Sequence, residues 1–111
     1  MLEAFMGEII LFAGNYAPPG WMFCNGQLLL IEEYSALFSI IGTTYGGNGT
    51  TNFALPDLRG SISIGAGQGP GLEQVIFGFH GQYFSSHGTQ KVGTLGLSYC
   101  ICVEGIFPSR E

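Results

Sequence analysis

Hydrophobic positions along this chain fall into short runs broken by glycine, proline and asparagine. Glu8 to Ala13 and Trp21 to Cys24 read as brief strand-like segments, and Pro18-Pro19-Gly20 between them interrupts any regular pairing. Asn25-Gly26 is a turn signal, because both residues tolerate the positive φ of tight turns, and Gln27 to Ile31 resumes the apolar run. The pattern therefore predicts a hairpin about Asn25-Gly26. One helix is expected: Tyr34, Leu37, Phe38 and Ile41 recur at i, i+3, i+4 and i+7, Glu32 and Glu33 stand where they favour a helix N-terminus, and Gly42 follows as a stop.

Beyond the helix, Gly46 to Asn52 is rich in small polar residues and reads as an exposed loop, with Asn48-Gly49 again suggesting positive φ. Asn48-Gly49-Thr50 also fits a glycosylation sequon, but the turn explains the same residues. In Phe53 to Gly60 apolar residues and charges are too closely mixed for a free linker. Ser61-Ile62-Ser63-Ile64 alternates as a half-buried strand does, with a polar outer face. Gly65 to Gly71 has glycine at every second position, so the backbone there turns sharply or lies against another backbone. Its spacing, with Pro70 intervening, does not match a dinucleotide-binding glycine loop. Leu72 to Gly93 is the least regular stretch, and Leu95 to Val103 reads as a strand with Cys100 and Cys102 on one face.

Composition changes this picture in one respect. Hydrophobic residues make up 46% of the 111 positions and charged residues only 10%, too few to clothe an isolated monomer, so apolar surface is expected to be hidden between subunits. No membrane span is expected, because the longest apolar runs, Ile9 to Ala13, Leu28 to Ile31 and Ala36 to Ile41, fall far short of the roughly 20 residues a spanning helix needs. Met1 to Phe5 lacks the basic and long apolar regions of a secretory signal, so Sec export is not expected. With a net charge of −5 and only Arg59, Lys91 and Arg110 as cations, no nucleic-acid partner is expected either.

Candidate chemistry is sparse. Cys24, Cys100 and Cys102 are odd in number and form no Cys-x-x-Cys pair, so buried thiols are the favoured reading, with a link between chains through Cys100 or Cys102 as the alternative in an oxidising setting. His80 and His87 are the only imidazoles, and nothing in their spacing ties either to a nucleophile. They read first as exposed loop residues; a metal ion on a threefold axis, collecting one or two histidines from each subunit, is the alternative to an expectation of no cofactor. Asp57 and Arg59 carry opposite charges in a chain nearly devoid of charge, and are expected to form a structural ion pair that fixes the Pro56 to Gly60 corner, within or between subunits. Phe77, Phe79, Tyr83, Phe84 and Lys91 are candidate receptor- or glycan-binding residues, against the alternative that the aromatics pack on neighbouring subunits.

Several longer motifs carry a family resemblance. Phe5-Met6-Gly7-Glu8-Ile9, Phe12-Ala13-Gly14-Asn15, Pro19-Gly20-Trp21, Cys24-Asn25-Gly26-Gln27-Leu28, Ala36-Leu37-Phe38-Ser39, Gly42 to Gly47, Phe53 to Gly60, Gly67 to Gly71, Leu97 to Ile101 and Gly105 to Arg110 together resemble the phage tail-collar family, which includes the microcystin-dependent proteins. The resemblance implies an α+β, predominantly β collar with one short helix, intertwined as a homotrimer, and no enzyme. It implies a structural or adhesive module of a tail fibre or phage-tail-like injection apparatus, with tail or baseplate proteins and a surface receptor as partners. Longer members carry a distal region with a His-x-His motif; His80 and His87 do not form one, and that region is replaced by Leu72 to Thr94. The expected organisation is a collar core over residues 1–71, a shortened tip over 72–94 and a returning strand over 95–111. The expected location is a virion tail or tail-like particle. An extracellular filament and a carbohydrate-binding module are the competing readings, the former motivated by low charge and edges able to pair with the next unit.

Overall fold

The computed structural model describes residues 3–81 and 93–110. Within them the order is β1 (Ile9–Phe12), β2 (Trp21–Phe23), β3 (Leu28–Leu30), α1 (Ser35–Ile41), β4 (Asn52–Ala54), β5 (Gly67–Gln68), β6 (Gln74–Val75) and β7 (Ser98–Cys102). The chain is mostly β with one short helix. No helix among the described residues is long and apolar enough to cross a membrane.

Two compact units are present: Met1–Ile62 with Leu97–Glu111, and Ser63–Gly96. The first is organised around its last strand. β7 lies between β1 and β2 and runs antiparallel to both, pairing Ile9 with Ile101 on one side and Met22 with Ile101 on the other. A second, two-stranded sheet pairs Leu29 with Phe53. Between the sheets and α1 sits a core of Cys24, Leu29, Leu37, Phe53, Leu55, Ile101 and Val103, with the Phe38 and Phe53 rings tilted together at 5.4 Å. The other unit contains the short pair β5–β6, joining Gly67 to Val75 and Gln68 to Gln74.

The helix forms where the 3.6-residue repeat places it. Leu37 is fully buried, Tyr34 is the N-cap, and Gly42 closes the last turn by donating its N–H to the Phe38 carbonyl at 2.8 Å. Glu32 and Glu33 precede the first turn and do not belong to it, so their presumed service to the helix start is corrected: the first turn carries no acidic residue.

Two strand expectations also fail. There is no hairpin about Asn25-Gly26, because β2 pairs with β7 and β3 with β4. The Gln27 side chain takes the positions that a hairpin partner would fill. Its amide donates to the Phe23 carbonyl at 2.9 Å, its Oε1 accepts from the Asn25 N–H at 3.1 Å, and its own carbonyl accepts from Leu55 N–H. Gly26 alone adopts positive φ, 75°, where a primed two-residue turn needs two such residues. Ser61 to Ile64, alternating as a strand should, pairs with no strand among the described residues.

The loop after α1 is built by two asparagine side chains. Asn48 Oδ1 accepts the N–H groups of Thr50, Thr51 and Asn52 at 2.8, 2.8 and 3.1 Å, and Asn52 Oδ1 accepts that of Asn48 at 2.8 Å. This reciprocal set satisfies backbone donors that a loop would otherwise leave to solvent.

Candidate functional site

The most unusual surface is an apolar one, and the register of the three-stranded sheet defines it. Residues paired across antiparallel strands point to the same face, so Ile9, Ile101 and Met22 form one row and Leu11 and Tyr99 the next. Ile101 is 1% exposed, because the core covers the middle of this face. On the edge strand β1 the cover has ended: Ile9 is 40% exposed and Leu11 55%. The Ile-Ile-Leu-Phe sequence of β1 also contains none of the lysines, prolines or inward charges that keep natural sheet edges from pairing. On β3 the geometry differs. Leu29 faces the core, while Leu28 and Leu30 point the other way and are 59% and 47% exposed. Phe5 and Ile106, joined by a parallel bridge, and Phe107 are exposed as well.

The three thiols are structural. Cys24, Cys100 and Cys102 are buried and free, with no disulfide among them. Burial, with a smaller contribution from Cys100, pushes the Cys24 thiol up from 9.0 to about 12; burial raises Cys100 and Cys102 too. A thiol this reluctant to ionise is a poor nucleophile and a poor metal ligand. The folded chain is expected to resist a thiol-directed disulfide reagent at pH 8, all three cysteines reacting once urea is added. Because folding raises the Cys24 pKa, its contribution to stability is complete below about pH 9 and fades as pH rises toward about 12. The loss should amount to roughly 1.4 kcal/mol per pH unit while Cys24 ionises only on unfolding. Rapid labelling of the native chain, or a urea midpoint flat between pH 8 and 11, would contradict the assignment.

Asp57 and Arg59 meet in a two-pronged ion pair, Nε to Oδ1 at 2.9 Å and Nη2 to Oδ2 at 2.7 Å. Both side chains are substantially exposed, so solvent screens the attraction. The backbone also holds the corner they occupy. Gly26 N–H donates to the Pro56 carbonyl, Leu58 N–H donates to the Cys24 carbonyl, and Asn25 bridges Asp57. Phe77, Phe79 and His80 are exposed on the Ser63–Gly96 unit. Tyr83, Phe84, His87 and Lys91 lie outside the described residues. Among the described residues no three histidines, cysteines or carboxylates gather where they could hold a metal ion.

Comparison with known proteins bears directly on this arrangement. The Phage Tail Collar Domain model matches residues 7–63, more than half of the chain. The chain belongs to the phage tail collar domain family. Over 68 residues, 60% of its length, it is 38% identical to the Short tail fiber protein gp12 of Enterobacteria phage T4. Over 57 residues, 49% of its length, it is 35% identical to Protein RhiB of Rhizobium leguminosarum bv. viciae. It spans only 13% and 26% of the length of these two relatives.

The matched stretch of the collar runs from the start of β1 through β4 to the Ser61 segment, whereas β7, which completes its sheet, lies beyond it. Reasoning from sequence did not single out Ile9, Leu11, Leu28 and Leu30. The signal was present: Ile-Ile-Leu-Phe and Leu-Leu-Leu are unbroken apolar runs, the pattern of strands covered on both faces. On β1 and β3 part of that cover is absent, Ile9, Leu11, Leu28 and Leu30 being exposed.

Proposed function

We propose that this collar is a non-enzymatic structural module of a phage tail fibre or a phage-tail-like apparatus, working as a homotrimer in attachment or capping. Family membership and the likeness to a protein named a short tail fiber protein support the setting. The observation that carries the reading is the apolar surface left uncovered on regular strands, at Ile9 and Leu11 of β1 and Leu28 and Leu30 of β3. Surface of this kind on ordered elements is characteristic of chains that bury it against copies of themselves. Its partners in this reading are first its own copies, then tail or baseplate proteins, and the location is the virion tail or an equivalent particle.

Light scattering of the purified chain, backed by negative-stain images, tests this. A discrete particle of three times the 11.9 kDa chain mass is expected at all concentrations above the assembly threshold. A stable monomer would overturn the reading. Open-ended fibres would replace it with the filament, in which the unprotected β1 edge pairs without closure.

A further inference from the structure

We propose that the parallel bridge between Phe5 and Ile106 is a mechanical latch. When the chain is drawn apart from the stretches before Ala4 and after Ile106, the bridge takes the load in shear and keeps β7 from being peeled off β1. That such a load acts on the module rests on the tail-fibre reading above; the latch itself is read from the backbone.

The first observation is the way β1 and β7 would open without it. They are antiparallel, so the start of β1 and the end of β7 lie at the same end of the pair. Gly7 N–H donates to the Cys102 carbonyl and Cys102 N–H to the Glu8 carbonyl, both at 2.9 Å, and these are the bonds nearest that end. A pull on Glu8 in one direction and on Cys102 in the other falls first on them. Once they yield, Ile9 with Ile101 and Ile10 with Cys100 follow in turn, and β1 unzips from the sheet.

The second observation is that the chain does not leave the sheet by that route. It bends over Val103 to Gly105, and Ile106 comes to lie beside Phe5 in a parallel bridge, whereas every other pairing among the described residues is antiparallel. Met6 N–H donates to the Ile106 carbonyl at 2.8 Å, and Ile106 N–H donates to the Ala4 carbonyl at 2.9 Å. Because the two stretches run the same way, a pull backwards on one and forwards on the other slides them along each other. Both hydrogen bonds are strained together, and neither opens before the other.

The joint is also shaped for close approach. A Cβ added at Gly105 would lie 2.4 Å from the Ala4 carbonyl oxygen and 2.7 Å from the Cys102 Sγ. That oxygen is the one that accepts from Ile106, so the latch closes only over a residue without a side chain. Glu8 braces the other side. Its N–H donates to the Phe5 carbonyl at 3.0 Å and its Oε1 accepts the Phe5 N–H at 3.2 Å, which fixes the turn that leads from the latch into β1.

Single-molecule pulling tests the latch, with both handles on one chain of the assembled protein. Handles at the two ends of the chain load the bridge. Handles on Glu8→Cys combined with Glu104→Cys, both exposed positions, bypass it and load β1 and β7 from their shared end; the buried native thiols stay unlabelled. The rupture force should be about twofold higher from the chain ends, since two hydrogen bonds must break together and not one after another. Gly105→Ala should lower the force from the chain ends to that of the bypassing handles and leave the latter unchanged, with far-ultraviolet circular dichroism checking that the variant is folded. Equal forces in the two directions for the chain with Gly105, or a Gly105→Ala variant weakened equally in both, would overturn the latch. Light scattering of the same sample judges the trimeric tail-fibre reading separately: a stable monomer overturns that reading, while the difference in force between the two directions still decides the latch.

Discussion

Replacing Ile101 with aspartate is expected to leave no cooperative unfolding transition. Ile101 occupies the middle of β7, the strand that both β1 and β2 require, and its side chain lies in the core with 1% of its surface exposed. Its two cross-strand neighbours are Ile9 and Met22, neither of which can hydrogen-bond a carboxylate. A buried charge without a partner costs several kcal/mol, and the lost isoleucine burial adds about 2–5 kcal/mol more. A domain of this size has a net stability of only about 5–15 kcal/mol, toward the lower end for a small core. Trp21, paired with Cys102 on the adjacent strand and the chain's single tryptophan, reports the outcome. Its emission should match that of the urea-unfolded chain, with no thermal transition. Ile101→Val, which removes one methylene, should cost only about 1 kcal/mol and retain the transition. A native emission spectrum in the aspartate variant would mean that the C-terminal strand is not the keystone of the sheet.

Gly47→Ala should be the most damaging single methyl group that can be added to the loop after α1. The backbone there has φ 95°, and an added Cβ would lie 2.4 Å from the Phe53 Cα and 2.9 Å from the Asn52 carbonyl oxygen. Both obstacles are backbone. They belong to β4, where Phe53 is fully buried and paired with Leu29, so neither can give way without moving the core. Strain at the dihedral and the displacement of β4 together should remove roughly 3–5 kcal/mol, seen as a large fall in urea midpoint. Gly42→Ala separates the two contributions. Its φ is 55° with ψ −142°, a backbone conformation reserved for glycine, and no atom lies within 4 Å of the new methyl group, so the loss there is dihedral strain alone, about 1–3 kcal/mol. Equal effects at the two sites would show that crowding against β4 is not what reserves position 47 for glycine.

The helix was legible in the sequence because its information is local: four apolar positions at helical spacing, with Gly42 after them, determine one face and one end. The closing strand was legible as a strand, from Cys100 and Cys102 two apart, but its place between β1 and β2 was not. That pairing joins residues some ninety positions apart, and no local pattern encodes a partner. Asn25-Gly26 misled for a related reason. The turn chemistry was read correctly as far as Gly26, but the Gln27 side chain satisfies Phe23 and Asn25, and the strands on either side pair with the distant β7 and β4. The apolar surface of β1 and β3 was written plainly as two unbroken hydrophobic runs. Sequence could not say which face the chain would leave bare, because that depends on how much material reaches each sheet. Ser61 to Ile64 shows the converse, a local strand preference that meets no strand among the described residues.

The position of β7 has a consequence for how such modules diversify. The residues between Ile62 and Leu97 form a separate compact unit inserted into the collar, which is complete only when the chain returns. Closing a longer insertion costs little, about 0.6 kcal/mol for each doubling of its length, a small debit against the stability of the sheet that β7 completes. Selection can therefore lengthen, shorten or exchange the inserted unit while leaving the collar intact. The collar is a constant frame of two chain stretches, and the sequence between them is what evolution is free to vary.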